Sequence, residues 1–135
     1  QQELRWKLSL ESQKIDKKTS IKYFYKNADL VIIGYNGTTY LETLGLNIPS
    51  LIFWNNSLFK VNNKAKKYFD MLKAVSIFHD NYKSASKFLN ANKKNIKEWW
   101  FDIETQKAIK IFTNEYYKID YKYLDKLNQY LKINN

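Results

Sequence analysis

The sequence has no cysteine. That excludes disulfides, zinc–thiolate sites and cysteine nucleophiles, and it fits a reducing cytoplasm. There is one histidine, His79, and the carboxylates are not clustered, so no metal site and no cofactor is expected. No apolar run approaches the roughly 18 residues needed to span a membrane, and no signal peptide is visible. Without a secretory signal, the glycosylation patterns at Asn36 and Asn55 carry no weight. Arginine is also scarce. Of 23 basic residues only Arg5 is arginine, whereas base readout and bidentate phosphate recognition favour that side chain. The lysines are spread along the chain, so the net charge of +10 reads as compositional bias and no nucleic-acid partner is expected. A basic face can still meet anionic lipid or an acidic polymer, which allows peripheral contact with a membrane.

What is present is organised around Leu30 to Trp54. The 135 residues suffice for one domain with a modest core. Leu30 to Ile33 is a short apolar, β-branched run of the kind expected for a buried strand. Gly34-Tyr35-Asn36-Gly37 is a turn signal. Thr38 to Leu46 reads as a helix whose Tyr40, Leu41, Leu44 and Leu46 form an apolar stripe. Asn47 suits a helix stop, Pro49 lies just beyond it, and Ser50 to Phe53 is a second strand. Strand, turn, helix and strand form a βαβ unit with an expected right-handed crossover.

The turn carries the chemistry. In a parallel sheet, ligands bind beyond the carboxyl ends of the strands. Amides at a helix start lack intrahelical partners and carry partial positive charge. Gly37 permits close approach to the backbone, and Thr38 and Thr39 add hydroxyls, so the constellation suits a phosphate or diphosphate. Glu42, one turn further on, would repel phosphate unless it faces something else, such as sugar hydroxyls. The alternative is an ordinary capped turn in which the threonines cap the helix and Glu42 favours its N-terminus.

Along the rest of the chain, Gln1 to Asp16 alternates weakly at Leu4, Trp6, Leu8 and Leu10. Thr19 or Ser20 can cap a short helix running to about Lys26. Trp54 and Asn55 follow the second strand, where Trp54 either stacks on a ligand or covers the sheet edge, and Asn55 either contacts a ligand or makes the turn. Lys64 to Lys73 reads as a helix and Ala74 to Phe78 as a third strand. His79 and Asp80 follow at the same edge. His79 can serve acid–base chemistry or orient a phosphate, or it is a loop histidine beside an N-capping Asp80. Helices are expected over Tyr82 to Ala91, Ile103 to Tyr117 and Asp120 to Leu131, with Trp99 and Trp100 as packing residues. The fold class is therefore α/β, a Rossmann-like three-layer arrangement of parallel sheet and helices. Three strands are few for a doubly wound sheet. The chain thus reads as the later part of such a domain, ending in C-terminal helices, and the pattern also fits a small three-stranded domain.

Asn27-Ala28-Asp29, Tyr35 to Leu44, Pro49 and Ile52-Phe53-Trp54-Asn55 together resemble one family. So do Lys66 to Leu72, Val75 to Asp80, Ser84-Ala85-Ser86 and Trp99-Trp100. It is the LIC12162-type family of transferases of bacterial surface-carbohydrate biosynthesis, similar in turn to the C-terminal donor-binding domain of GT-B glycosyltransferases. The resemblance runs from about Glu3 to Lys118. It implies a nucleotide-sugar donor, with Asn36, Gly37, Thr38 and Thr39 at the diphosphate and Glu42 accepting hydrogen bonds from the ribose. Trp54, Asn55, His79 and Asp80 become candidate cleft residues. It further implies a saccharide or lipid-linked acceptor and a cytoplasmic location, at the inner face of the membrane. The acceptor domain of such an enzyme is not expected within residues 1–135. One departure is the loop containing Lys60-Val61-Asn62-Asn63, where relatives carry an arginine and a proline; Lys60 or Lys64 would replace that arginine only as a point charge. Two other classes fit the residues as well: a non-catalytic basic module for an anionic polymer or membrane, and a sugar-nucleotide epimerase-like domain.

Overall fold

A computed structural model describes residues 19–55, 57 and 59–118. The expectations for Gln1 to Asp16 and Asp120 to Leu131 lie outside these residues. In chain order the described elements are α1 (Ile21–Asn27), β1 (Val31–Ile33), α2 (Thr39–Gly45), β2 (Ser50–Phe53), α3 (Asn63–Ala74), β3 (Phe78–His79), α4 (Tyr82–Asn92), α5 (Ile96–Trp100) and α6 (Ile103–Tyr116). The strands form one parallel sheet in the order β1-β2-β3. Ile33 stands opposite Ile52, which in turn stands opposite Phe78. The chain is thus an α/β fold with helices between parallel strands.

Strand alternation sorts the side chains onto two faces. Ile33, Ile52 and Phe78 share one face and join a core with Leu44 of α2, Phe69 and Leu72 of α3, and Ala108, Ile109 and Phe112 of α6. Leu51 and His79 point the other way, towards α4, where His79 meets the Phe88 ring. Central β2 is buried on both faces, whereas edge strand β1 is not: Leu51 is 1% exposed and Ile32 is 52% exposed. Leu44, Leu72, Trp100 and Phe112 are almost completely buried, each worth roughly 1.5–3 kcal/mol of transfer free energy. Among the described residues no helix is long and apolar enough to cross a membrane.

The third strand begins later than the Ala74 to Phe78 pattern predicts, because α3 runs through Ala74. The chain then turns at Ser76, whose φ of 60° is left-handed. The Ile77 amide bonds the Leu72 carbonyl at 2.9 Å and the Ser76 amide bonds the Lys73 carbonyl at 3.0 Å. The same closure ends α2. Asn47 has a φ of 53°, and the Ile48 amide reaches the Thr43 carbonyl at 2.8 Å. Satisfying the last carbonyls in this way is the Schellman solution to helix termination. It aims both following segments directly into strands.

Asn47 does more than stop a helix. Its Oδ1 accepts from Trp100 Nε1 at 3.0 Å and from Gln106 Nε2 at 3.2 Å, and its Nδ2 donates to Gln106 Oε1 at 3.1 Å. Gln106 Nε2 also donates to the Trp100 carbonyl at 2.7 Å. Trp99 Nε1 donates to the Val75 carbonyl at 2.8 Å. The paired tryptophans are packing residues, as expected, and each also fastens a helix–strand turn.

Candidate functional site

Because all three strands are parallel, Ile33, Phe53 and His79 end at the same edge of the sheet. Helices α2, α3 and α4 start from it. This is the edge at which an open parallel sheet takes its ligands. Central β2 separates the β1–α2 turn from the β3–α4 turn, so these two groups of predicted residues lie at least two strand spacings, roughly 10 Å, apart.

The β1–α2 turn is built around polar groups left at the surface. Thr38 is the N-cap of α2 but has helical angles, φ −75° and ψ −17°, and its side chain makes no capping hydrogen bond. Its carbonyl accepts the Leu41 and Glu42 amides at 3.0 and 3.2 Å. The Thr39 hydroxyl is bonded to the Tyr35 phenol at 2.7 Å. The alternative reading, in which the threonine side chains are used as caps, is therefore not how this turn is made. Asn36, Thr38 and Glu42 are all exposed.

Two tyrosines that the sequence reading left out of the site belong to this cluster. The Tyr35 ring lies against Gly37 so closely that a β-carbon at Gly37 would overlap it, and the Gly37 amide is held by the Tyr35 carbonyl at 3.1 Å. A side chain at position 37 would therefore require the exposed Tyr35 ring to move. The Tyr25 hydroxyl donates to Glu42 Oε2 at 3.0 Å. Partial burial, and after it the bond to Glu42, push the Tyr25 phenol up to about 12, so it remains a donor at neutral pH. Tyr25 is 17 residues from Glu42 and belongs to another helix, so no local pattern signals the pair. Tyr35 lies in the turn before the helix, where a spacing of four residues is no signal of contact.

The other predicted residues are placed differently. Trp54 is only 2% exposed. Tyr40, Phe69 and Phe78 surround its ring at centroid distances of 5.6, 5.5 and 4.7 Å, so it is core and offers no face for stacking. Its Nε1 is buried without a hydrogen-bond partner among the described residues. Asn55 is exposed and makes its own turn, its Oδ1 accepting from the Ser57 amide at 2.9 Å and the Ser57 hydroxyl at 2.7 Å.

His79 is the last residue of β3, 8% exposed. Its Nε2 is 3.0 Å from the Ser76 carbonyl and its Nδ1 is 2.8 Å from the Ser84 hydroxyl. A carbonyl only accepts, so Nε2 carries the proton and the neutral ring takes the Ser84 proton at Nδ1. Burial pulls its pKa down, against the raising influence of the Ser76 carbonyl and Asp80. Asp80 pairs with Lys73. Asn81, not Asp80, caps α4, its side chain accepting from the Ser84 amide at 2.9 Å. Among the described residues, no three His, Cys, Asp or Glu side chains gather as a metal site requires. One surface depression, about 830 Å³, is lined by Tyr68, Ile111, Tyr117 and neighbouring residues and by none of the predicted site residues.

Comparison with known proteins agrees with the resemblance at the level of the family. A family model described as LIC12162 family transferase matches residues 1–131. No curated protein and no solved structure matches the chain. With nearly its whole length matched, the chain belongs to the LIC12162 family of transferases.

Proposed function

We propose that this transferase takes a nucleotide-sugar donor at the β1–α2 turn and works in surface-polysaccharide assembly. The supporting observation is the grouping of Asn36, Thr38, Thr39 and Glu42 at the carboxyl end of β1, with acceptor and donor groups left at the surface. The diphosphate meets the first amides of α2 and the Thr38 hydroxyl. The ribose hydroxyls donate to Glu42, which explains why a carboxylate stands beside a phosphate site. Tyr35 lies over Gly37, so a diphosphate that reaches this backbone displaces its ring and breaks its bond to Thr39.

On this reading the chain forms the donor-binding part of a GT-B-like, Rossmann-like domain. The protein transfers a glycosyl or related group to a saccharide or lipid-linked acceptor. Charge grows on the bridging oxygen as the bond to the diphosphate breaks. The amides at the start of α2, fixed before the reaction, and lysines such as Lys60 and Lys64 near the same edge would stabilise it electrostatically.

Calorimetric titration with UDP, GDP, CDP and CMP tests this. Preferential binding of one nucleotide is expected, weakened about tenfold or more by Glu42→Ala and by Thr38→Ala. Binding that is non-selective, steeply salt-dependent and indifferent to both substitutions would instead identify a basic surface.

A further inference from the structure

We propose that Tyr25 is a positioning residue for Glu42, holding its carboxylate in the orientation that receives ligand hydroxyls. The proposal rests on the reading of Glu42 as the ribose acceptor and adds to it a residue from a different helix. Glu42 is exposed on α2, and an exposed glutamate samples many rotamers, so fixing it on binding has an entropic cost. Here one rotamer is already held, because Tyr25 on α1 donates to Oε2 at 3.0 Å. Among the described residues Oε1 has no hydrogen-bond partner, so one oxygen is anchored and the other is available to a ligand. A carboxylate with one oxygen anchored and the other open suits a vicinal diol better than an isolated anion.

A purely structural role for Tyr25, tying α1 to α2, makes a different prediction. Removing the hydroxyl would then lower stability and leave ligand discrimination unchanged. The readout is therefore the ratio of affinities for the preferred ribonucleotide among UDP, GDP, CDP and CMP and for its 2′-deoxy counterpart. It is measured calorimetrically on the full chain, Tyr25→Phe, Glu42→Gln and the double variant. Tyr25→Phe should lower ribonucleotide affinity about three- to tenfold and leave the deoxynucleotide nearly unaffected. In the Glu42→Gln background it should add almost nothing. If Glu42→Gln lowers the ratio and Tyr25→Phe does not, the positioning role is wrong and the reading of Glu42 stands. If Glu42→Gln leaves the ratio unchanged, or none of the four ribonucleotides binds, both are overturned.

Discussion

Two turns leave the same edge of the sheet and are built in opposite ways. In the β3–α4 turn the polar groups are satisfied from within. His79 is bonded at both ring nitrogens, Asp80 pairs with Lys73, and Asn81 caps α4. In the β1–α2 turn the N-cap side chain makes no capping bond, and hydroxyls and a carboxylate stand at the surface, where Tyr25 bonds Glu42 and Tyr35 bonds Thr39. Buried polar groups must be paired, whereas exposed ones can be kept for a ligand. On the proposed reading, the first turn holds the fold and the second serves recognition.

The largest effect that can break this contrast comes from His79. Replacing it with alanine removes a ring with both nitrogens bonded and leaves the Ser76 carbonyl without that partner, at a cost of about 2–4 kcal/mol by urea denaturation. Nucleotide affinity should not change. A tenfold loss of affinity in a folded His79→Ala variant would move His79 to the recognition side. Glu42→Ala is the mirror experiment. Ligand affinity should fall about tenfold, equivalent to about 1.4 kcal/mol, while stability changes by no more than about 0.5 kcal/mol, as for most surface substitutions.

Acid titration separates the turns by a different route. Burial lowers the His79 pKa below the ordinary 6.5, so as pH falls the unfolded chain takes up a proton before the folded one. Stability contributed by the neutral ring is therefore present above about pH 6.5 and is lost as pH falls through the lowered folded value. His79→Gln should flatten that part of the stability–pH curve, and Glu42→Gln should leave it in place.

The sequence made much of this legible, and the limits have physical causes. The β-branched run before Gly34 and the apolar run at Ser50 to Phe53 are strong signals because a buried parallel strand has little freedom in composition. The position of Thr39 and Glu42 at the carboxyl edge was legible because a βα turn fixes where a side chain emerges. Trp54 was not settled, since a tryptophan at a strand end is equally suited to cover a core or stack on a ligand. Only the packing of Tyr40, Phe69 and Phe78 around it decides. The Tyr25–Glu42 pair was invisible because its partners meet through the tertiary fold. The start of β3 was misread because Val75 and Ile77 look like strand residues, while the Ser76 turn lies between them.

That turn supplies the smallest test, and it extends the fold-holding side of the comparison to the opposite edge of the sheet. Ser76 and Asn47 are both non-glycine residues with left-handed backbones, φ 60° and 53°, a conformation that costs most L-residues roughly 1 kcal/mol or more. Glycine relieves that cost, but its freedom in the unfolded chain offsets part of the gain. At Ser76 the contact to His79 is made by the backbone carbonyl, which glycine keeps. Ser76→Gly should therefore stabilise by about 0.5 kcal/mol. At Asn47 the side chain holds Trp100 and Gln106, and glycine loses both bonds. Asn47→Gly should destabilise by about 1 kcal/mol despite an equally suitable backbone. Urea midpoints that move in opposite directions would show that side-chain contacts govern one helix exit and backbone geometry the other. Midpoints that rise together would mean that the Asn47 contacts contribute little, and that the fold is braced from the His79 side alone.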